Sequence, residues 1–258
     1  MMRPATEALL AEYLKQLKLT AILKFYAARA RDARKAGEDY EDFLLSLIES
    51  EIEARSDNRL KRRIRDARFP LMKTMENFVF DAAEGLDRRL VRELAEGKYI
   101  EEKRNVIFVG KTGTGKSHLA TALGFEACRQ GVRTRFTTGA GLVNELIEAR
   151  SERAVGRIIQ KMSRFGLLIL DELGYVPFSR EGSQLLFQLL AERYERASMI
   201  ITTNLGFADW TQLFGDPTLT AALLDRLTHK AHIIMCNWDS YRLKESLKRK
   251  SQAKRDTE

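Results

Sequence analysis

The stretch from Asn105 to Ser117 reads NVIFVGKTGTGKS, and it runs on into SHLATALGFEACRQ at 117–130. A short apolar run, a glycine-rich turn matching G-x-x-x-x-G-K-[ST] and a helical pattern in that order make a phosphate cradle. The glycines let backbone amides approach an anion, and the positive end of the following helix faces it. Gly110, Lys111, Thr112, Gly113, Thr114, Gly115, Lys116, Ser117 and His118 are the candidate nucleotide-binding residues. Lys116 is expected on the outer phosphates and the Ser117 hydroxyl on a magnesium ion. A loop of this kind permits phosphoryl transfer, sensing or motion, and the surrounding sequence has to decide among them.

Downstream, short apolar runs alternate with amphipathic stretches, which predicts a parallel sheet with crossover helices. The predicted strands are 105–109, 133–138, 167–170, 198–203 and 231–236, and the predicted helices are 117–130, 141–163, 182–196 and 217–228. Upstream of residue 105 the periodicity is helical. One helix is expected over 5–36, ending at Gly37, and a second from Phe43 toward Pro70. Residues 71–85 look irregular, and a short helix lies around Leu86–Leu94. The resulting division is a helical domain at 1–70, a linker with a short helix at 71–100, an α/β domain at 101–240 and a basic tail at 241–258.

The chemistry gathers at strand ends. In GLLILDELG, 166–174, four apolar residues precede Asp171 and Glu172. Open parallel sheets bind ligands at their carboxyl edge, so Asp171 is placed to hold magnesium and Glu172 to polarise an attacking water. A water activator belongs to hydrolysis rather than to transfer onto a second substrate. In MIITTNLG, 199–206, Asn204 reaches the same edge, where an amide can position water against a terminal phosphate, although an asparagine there also serves as a turn residue.

The chain has 258 residues with 44 lysines and arginines against 36 acids, for a net charge of +8. The excess is clustered at 59–68, RLKRRIRDAR, and at 242–255. Such clusters invite a polyanion, with solubilising charge as the alternative. Arg59, Lys61, Arg62, Arg63 and Arg65 are candidate DNA contacts on that ground. Cys128 and Cys236 form no metal or disulfide pattern, and the H-x-x-H pair His229 and His232 lacks a third ligand. No signal peptide or membrane span is predicted, so a cytoplasmic protein is expected.

Taken together, GKTGTGKS, LLILDELG, IITTNL and LLDRLTHKAHII resemble the AAA+ ATPases of the DnaC/IstB branch over essentially the whole chain. The upstream NRLKRRIRDARFP and MENFVFD resemble the IstB side of that branch, the ATP-binding helpers of insertion sequences that encode an IstA-type transposase. The resemblance implies a P-loop AAA+ domain with a five-stranded parallel sheet, a small all-helical N-terminal domain and a minimal or absent lid. It implies ATP and Mg2+ as cofactors, with Asn204 as a sensor of the terminal phosphate. Arg226 becomes an arginine finger acting on a neighbouring subunit, within a ring or a helical oligomer; the alternative is a solvated surface arginine. It also makes Arg150, Arg153, Arg157 and Lys161 candidate contacts to DNA, held largely without regard to sequence and as a duplex. The implied function is an ATP-hydrolysing regulator of transposition that delivers target DNA to a transposase. The alternatives are a DnaC-like helicase loader and a DNA-binding scaffold whose nucleotide is structural. SYRLK at 240–244 resembles the closing motif of the branch and leaves Arg242 without an assigned role.

Overall fold

The computed structural model describes residues 4–243, so most of the basic cluster at 242–255 lies outside the described residues. The chain divides into a unit ending at Arg62 and a unit beginning at Arg63.

In the first unit, α1 (Pro4–Gln16), α2 (Thr20–Ala36) and α3 (Tyr40–Ala67) follow in sequence, α3 running across the division. The single helix expected over 5–36 is two helices, broken at Leu17–Leu19 with Lys18 at φ 56°. The break lets Leu14 of α1 meet Ile22 of α2 and Leu47 of α3 in a small core. It also exposes the first amides of α2, which need acceptors. Glu51 of α3 supplies them, its carboxylate accepting from Ala21 N at 2.8 Å and Ile22 N at 3.2 Å. Arg55 completes the arrangement by pairing with Glu51 at 2.8 Å and donating to the Lys18 carbonyl at 3.0 Å. As expected, Gly37 closes α2 in the left-handed region, at φ 66°. So small a core leaves apolar side chains uncovered, Leu9, Tyr13, Leu44 and Ile48 among them.

The second unit begins before the sheet. Here the boundary near residue 100 is corrected: α4 (Arg88–Ala95), capped by Asp87, and α5 (Lys98–Glu101) bury Val91, Leu94, Tyr99 and Ile100 against Val106 and Phe108. Those apolar positions complete one face of the sheet, so residues 63–101 are part of the α/β body. The remaining elements alternate: β1 (Asn105–Gly110), α6 (Lys116–Arg129), β2 (Thr134–Thr138), α7 (Gly139–Ser151), α8 (Val155–Ser163), β3 (Leu167–Leu173), α9 (Arg180–Arg193), β4 (Ser198–Thr203), α10 (Trp210–Phe214), α11 (Pro217–Thr228) and β5 (Ala231–Cys236). The helix expected over 141–163 is α7 and α8, separated by a turn at which Arg153 has φ 55° and Ala154 is buried.

The strands form one sheet in the order β2-β3-β4-β1-β5, every pair parallel. Alternation along β1 sends Val106 and Phe108 toward α6 and Ile107 and Val109 toward the face covered by α7, α9 and α11. Registers such as Val109 with Thr203 and Thr138 with Asp171 bring the carboxyl ends of β1 to β4 to one edge. Two polar side chains lock the opposite end. Asn105 donates to the Leu227 carbonyl and accepts from Met199 N, both at 3.0 Å. The Arg193 side chain, 2% exposed, donates to the carbonyls of Met162, Phe165 and Ser198 at 2.7, 3.1 and 3.1 Å.

Arg193→Leu removes three hydrogen bonds to buried carbonyls, a cost on the order of 3 kcal/mol. A fall in melting temperature of about 6–12 °C is expected for a body of this size, readable by calorimetry. Glu51 gives a pH signature. Burial pushes its carboxyl up, but the Arg55 hydrogen bond and the two amides more than offset this and hold it below the usual 4.5. A depressed carboxyl contributes stability that is present above its unfolded value and lost as acid protonates the folded form. Helicity of the first unit is therefore expected to fail as pH falls below about 4.5, and Glu51→Gln to remove that part of the acid dependence.

Candidate active site

Gly110 ends β1 and Lys116 begins α6, so the intervening loop lies across the amino end of that helix. Gly110, at φ 152°, passes so close to the end of β5 that a Cβ would stand 2.2 Å from the Cys236 carbonyl oxygen. Gly115, at φ 89°, has the Phe78 ring 2.8 Å from where its Cβ would be. Only glycine satisfies both the angle and the approach. The Lys116 ammonium is buried and donates to the Gly110 and Lys111 carbonyls, both at 2.7 Å. Burial lowers its pKa, partly countered by Cys236 and Asp171.

Ser117 donates to Asp171 Oδ1 at 2.7 Å, and Thr202 of β4 donates to the same oxygen. Strict alternation cannot produce this arrangement. Leu168, Leu170 and Leu173 all face one core, so one residue between 170 and 173 must be extra. The register records it: Leu170 pairs with Ile201 and Leu173 with Thr203, three steps against two. This is a β-bulge, a feature that re-aims side chains beside active sites. Glu172 occupies it at φ 56°, exposed, with its amide diverted to Thr202 Oγ1 at 3.0 Å. The predicted strand 167–170 therefore extends to Leu173, and the two carboxylates diverge: Asp171 turns in to Ser117 while Glu172 faces the cleft.

That cleft has a volume of about 620 Å³, within the usual range for a small-molecule or cofactor site. Gly113, Lys116, Ser117, His118, Asp171 and Glu172 line it. Two further walls were not read from the sequence. Residues from Pro70 to Ala83, most of them in the irregular stretch 71–85, form one. His118 Nε2 donates to the Thr74 carbonyl at 2.8 Å and the ring stands edge-on to Phe78, while burial lowers its pKa and favours the neutral ring. In the sequence this wall is marked by the apolar Phe78-Val79-Phe80 within MENFVFD, 75–81. The other wall is the chain after β5. Trp238 donates to the Thr114 carbonyl at 2.8 Å, Tyr241 N donates to the Gly113 carbonyl at 3.0 Å, and Arg242 lines the cleft. Tyr175, past the bulge, meets Thr112 hydroxyl to hydroxyl at 3.0 Å.

The donor set fits a magnesium nucleotide. The loop amides and Lys116 suit phosphates, and the Ser117 hydroxyl with the Asp171 carboxylate forms an oxygen pair of the kind that magnesium takes.

Other sequence candidates fall elsewhere. Asn204 follows β4 and is exposed, whereas Thr202 and Thr203 line the cleft. Arg226 is half-buried near the end of α11, its guanidinium over the Phe187 ring at 5.0 Å and donating to the Ala222 carbonyl at 3.1 Å. It lines a small pocket with Asn105 and Met199, at the sheet end opposite the phosphate loop, about 17 Å away along β1 at ~3.3 Å per residue. Arg226 is thus remote from its own chain's cleft. Arg59, Lys61, Arg62, Arg63 and Arg65 lie on α3, the first three in the N-terminal unit. Arg150 pairs with Glu181 at 3.0 Å and Lys161 with Glu145 at 3.1 Å, while Arg153 and Arg157 are exposed at and after the α7–α8 turn. His229 Nδ1 meets the Tyr194 hydroxyl at 3.1 Å, and His232 is in β5.

A non-glycine residue in the left-handed region costs about 1 kcal/mol, a strain that persists where the surroundings impose it. Glu172→Gly is accordingly expected to be at least as stable as the wild type in urea unfolding, although it deletes the side chain that faces the cleft.

Residues 12–250 match the family model described as IstB-like ATP binding protein. The chain is 41% identical to the ATP-binding protein of insertion sequence IS21 from Pseudomonas aeruginosa, over 91% of this chain and 89% of that one. It is 36% identical to the ATP-binding protein of IS5376 from Geobacillus stearothermophilus, over 91% and 93%. Among solved structures it resembles DnaI, with TM-score 0.54 and 17% identity over 68% of this chain and 93% of that one. AMPPCP-bound DnaA from Aquifex aeolicus gives 0.53 and 21% over 68% and 55%. Those two likenesses are of fold, and they agree with the AAA+ P-loop architecture expected from the sequence. By its match along nearly the whole chain and by its insertion-sequence relatives, this protein belongs to the IstB-like ATP-binding protein family.

Proposed function

We propose that the chain hydrolyses ATP with Mg2+ at the interface between subunits assembled on DNA, and that this cycle regulates a partner transposase. The observation that carries the hydrolytic part is the bulge at Glu172, which separates two adjacent carboxylates into two tasks. Asp171, buried against Ser117, is the metal-side residue, and Glu172, at the cleft, accepts a proton from the attacking water. When bound, the metal neutralises charge on the phosphates. Lys116 holds the outer phosphates, and release from its two loop carbonyls frees it to do so. Asn204, one residue beyond the lining threonines, serves as the phosphate sensor once a neighbouring subunit closes that edge.

The remoteness of Arg226 from its own cleft supports its action in trans. A finger of this kind adds on the order of 10³-fold or more to turnover. ATP that binds the assembled state better than the free chain drives assembly by mass action. The insertion-sequence relatives favour a transposase of the IstA type over a replicative helicase as partner. The exposed apolar side chains of the first unit, Leu9, Tyr13, Leu44 and Ile48, offer a docking face. Duplex DNA is the polyanion proposed for the basic residues of α3 and of the α7–α8 turn.

Glu172→Gln is expected to keep ATP affinity and lose turnover by at least a hundredfold, and Lys116→Ala to lose affinity. Undiminished phosphate release by Glu172→Gln would sink the assignment of the water activator. Turnover per chain should rise with protein concentration in the wild type. Arg226→Ala should flatten that rise near the basal rate with ATP affinity nearly intact, and equal activity in both proteins at every concentration would rule out a trans finger.

A further inference from the structure

Arg135 is the second residue of β2, an edge strand of the sheet, and its side chain is 8% exposed. Its Nε is buried without a hydrogen-bond partner. Arg193 also has a buried Nε without a partner, but its terminal nitrogens donate to three carbonyls and give it a structural task, whereas the Arg135 side chain makes no hydrogen bond to any described residue. Around Arg135 the charge balance is positive. Its nearby carboxylate is Glu145 of α7, and Glu145 is already paired with Lys161 of α8 at 3.1 Å. Arg68 adds a second guanidinium whose charge reaches Arg135.

The placement of Arg68 is imposed rather than incidental. It follows α3 at φ 58°, a conformation that a side chain other than glycine rarely adopts. On one side Ala67 is fully buried, and on the other Phe69 packs edge-on against Phe136, the residue after Arg135, with ring centroids 6.2 Å apart. Arg133, just before β2, lies over the Phe165 ring at 5.5 Å and is exposed. This cationic ledge is distinct from the nucleotide cleft. Arg135 does not line the cleft, although Phe136, facing the other way, does.

We propose that Arg135 and Arg68 form a phosphodiester-binding pair at the β2 edge, through which the ATPase body grips the DNA backbone. A phosphate offers the several acceptor oxygens that this guanidinium lacks, and it balances a cluster in which one carboxylate serves several cations. Contacts of this kind carry no base information, in keeping with DNA held largely irrespective of sequence. The proposal rests on the reading of this chain as DNA-associated.

The test uses the full chain with a non-hydrolysable ATP analogue and a fluorescent duplex, with binding followed by anisotropy across a salt series. Each phosphate contact removed should reduce the slope of log affinity against log salt by about 0.9. Arg68→Gln and Arg135→Met are each expected to show that reduction and a several-fold weaker Kd, with ATP affinity unchanged. A structural arginine would destabilise the fold when replaced. Arg135→Met is instead expected to melt no lower than the wild type without DNA, since it removes an unsatisfied buried cation. Should Arg135→Met fail to fold, its structural role is shown and the pair is overturned. Wild-type slope in Arg68→Gln overturns it as well. Absence of DNA binding by the wild type itself would identify a failure of the broader reading and take the proposal with it.

Discussion

The site depends on one buried carboxylate. Asp171 is 6% exposed, and a carboxylate in that position must be hydrogen-bonded to be tolerated. Two hydroxyls reach it from different elements, Ser117 at the start of α6 and Thr202 in β4. That convergence ties the phosphate loop to the centre of the sheet. It also obliges β3 to depart from alternation, because Leu173 must return to the core that holds Leu168 and Leu170. Glu172 takes the extra position, so its approach to the cleft follows from packing on one face and hydrogen bonding on the other.

The sheet gives the body two chemically different ends. At the carboxyl end the backbone is open, and the loops after β1 and β3 and the chain after β5 meet around the cleft. At the amino end two polar side chains tie the elements together, Asn105 fixing the end of α11 and Arg193 fixing the turns around Phe165 and Ser198. Arg226 belongs to this second, locked end. An arginine held there by Phe187 and a helix carbonyl is presented on a rigid surface, which suits a contact made outward better than one made across its own fold.

The phosphate loop, the strands and most crossover helices were legible in the sequence because each rests on local periodicity or on a short motif with a fixed geometry. The break at Lys18 was not. No glycine or proline marks it, and the acceptor that makes it possible, Glu51, is 30 residues away from Ala21. The affiliation of residues 63–101 was not legible for a related reason: beyond the short helix around Leu86–Leu94 their apolar residues follow no steady helical or strand period, so their packing against the Val106 and Phe108 face of β1 shows only in the fold. That Phe78, Trp238 and Tyr241 wall the cleft was not legible, because they act on backbone carbonyls and a ring of the phosphate loop and α6, distant in sequence.

The sequence by itself determined the order of elements, the phosphate loop and the adjacency of Asp171 and Glu172, since these follow from spacing along the chain. Tertiary structure alone decided which way each carboxylate points, what closes the cleft and how far Arg226 lies from it. Side-chain direction at a bulge, and contact between segments far apart in sequence, are set by the packing of the whole sheet rather than by neighbours in the chain.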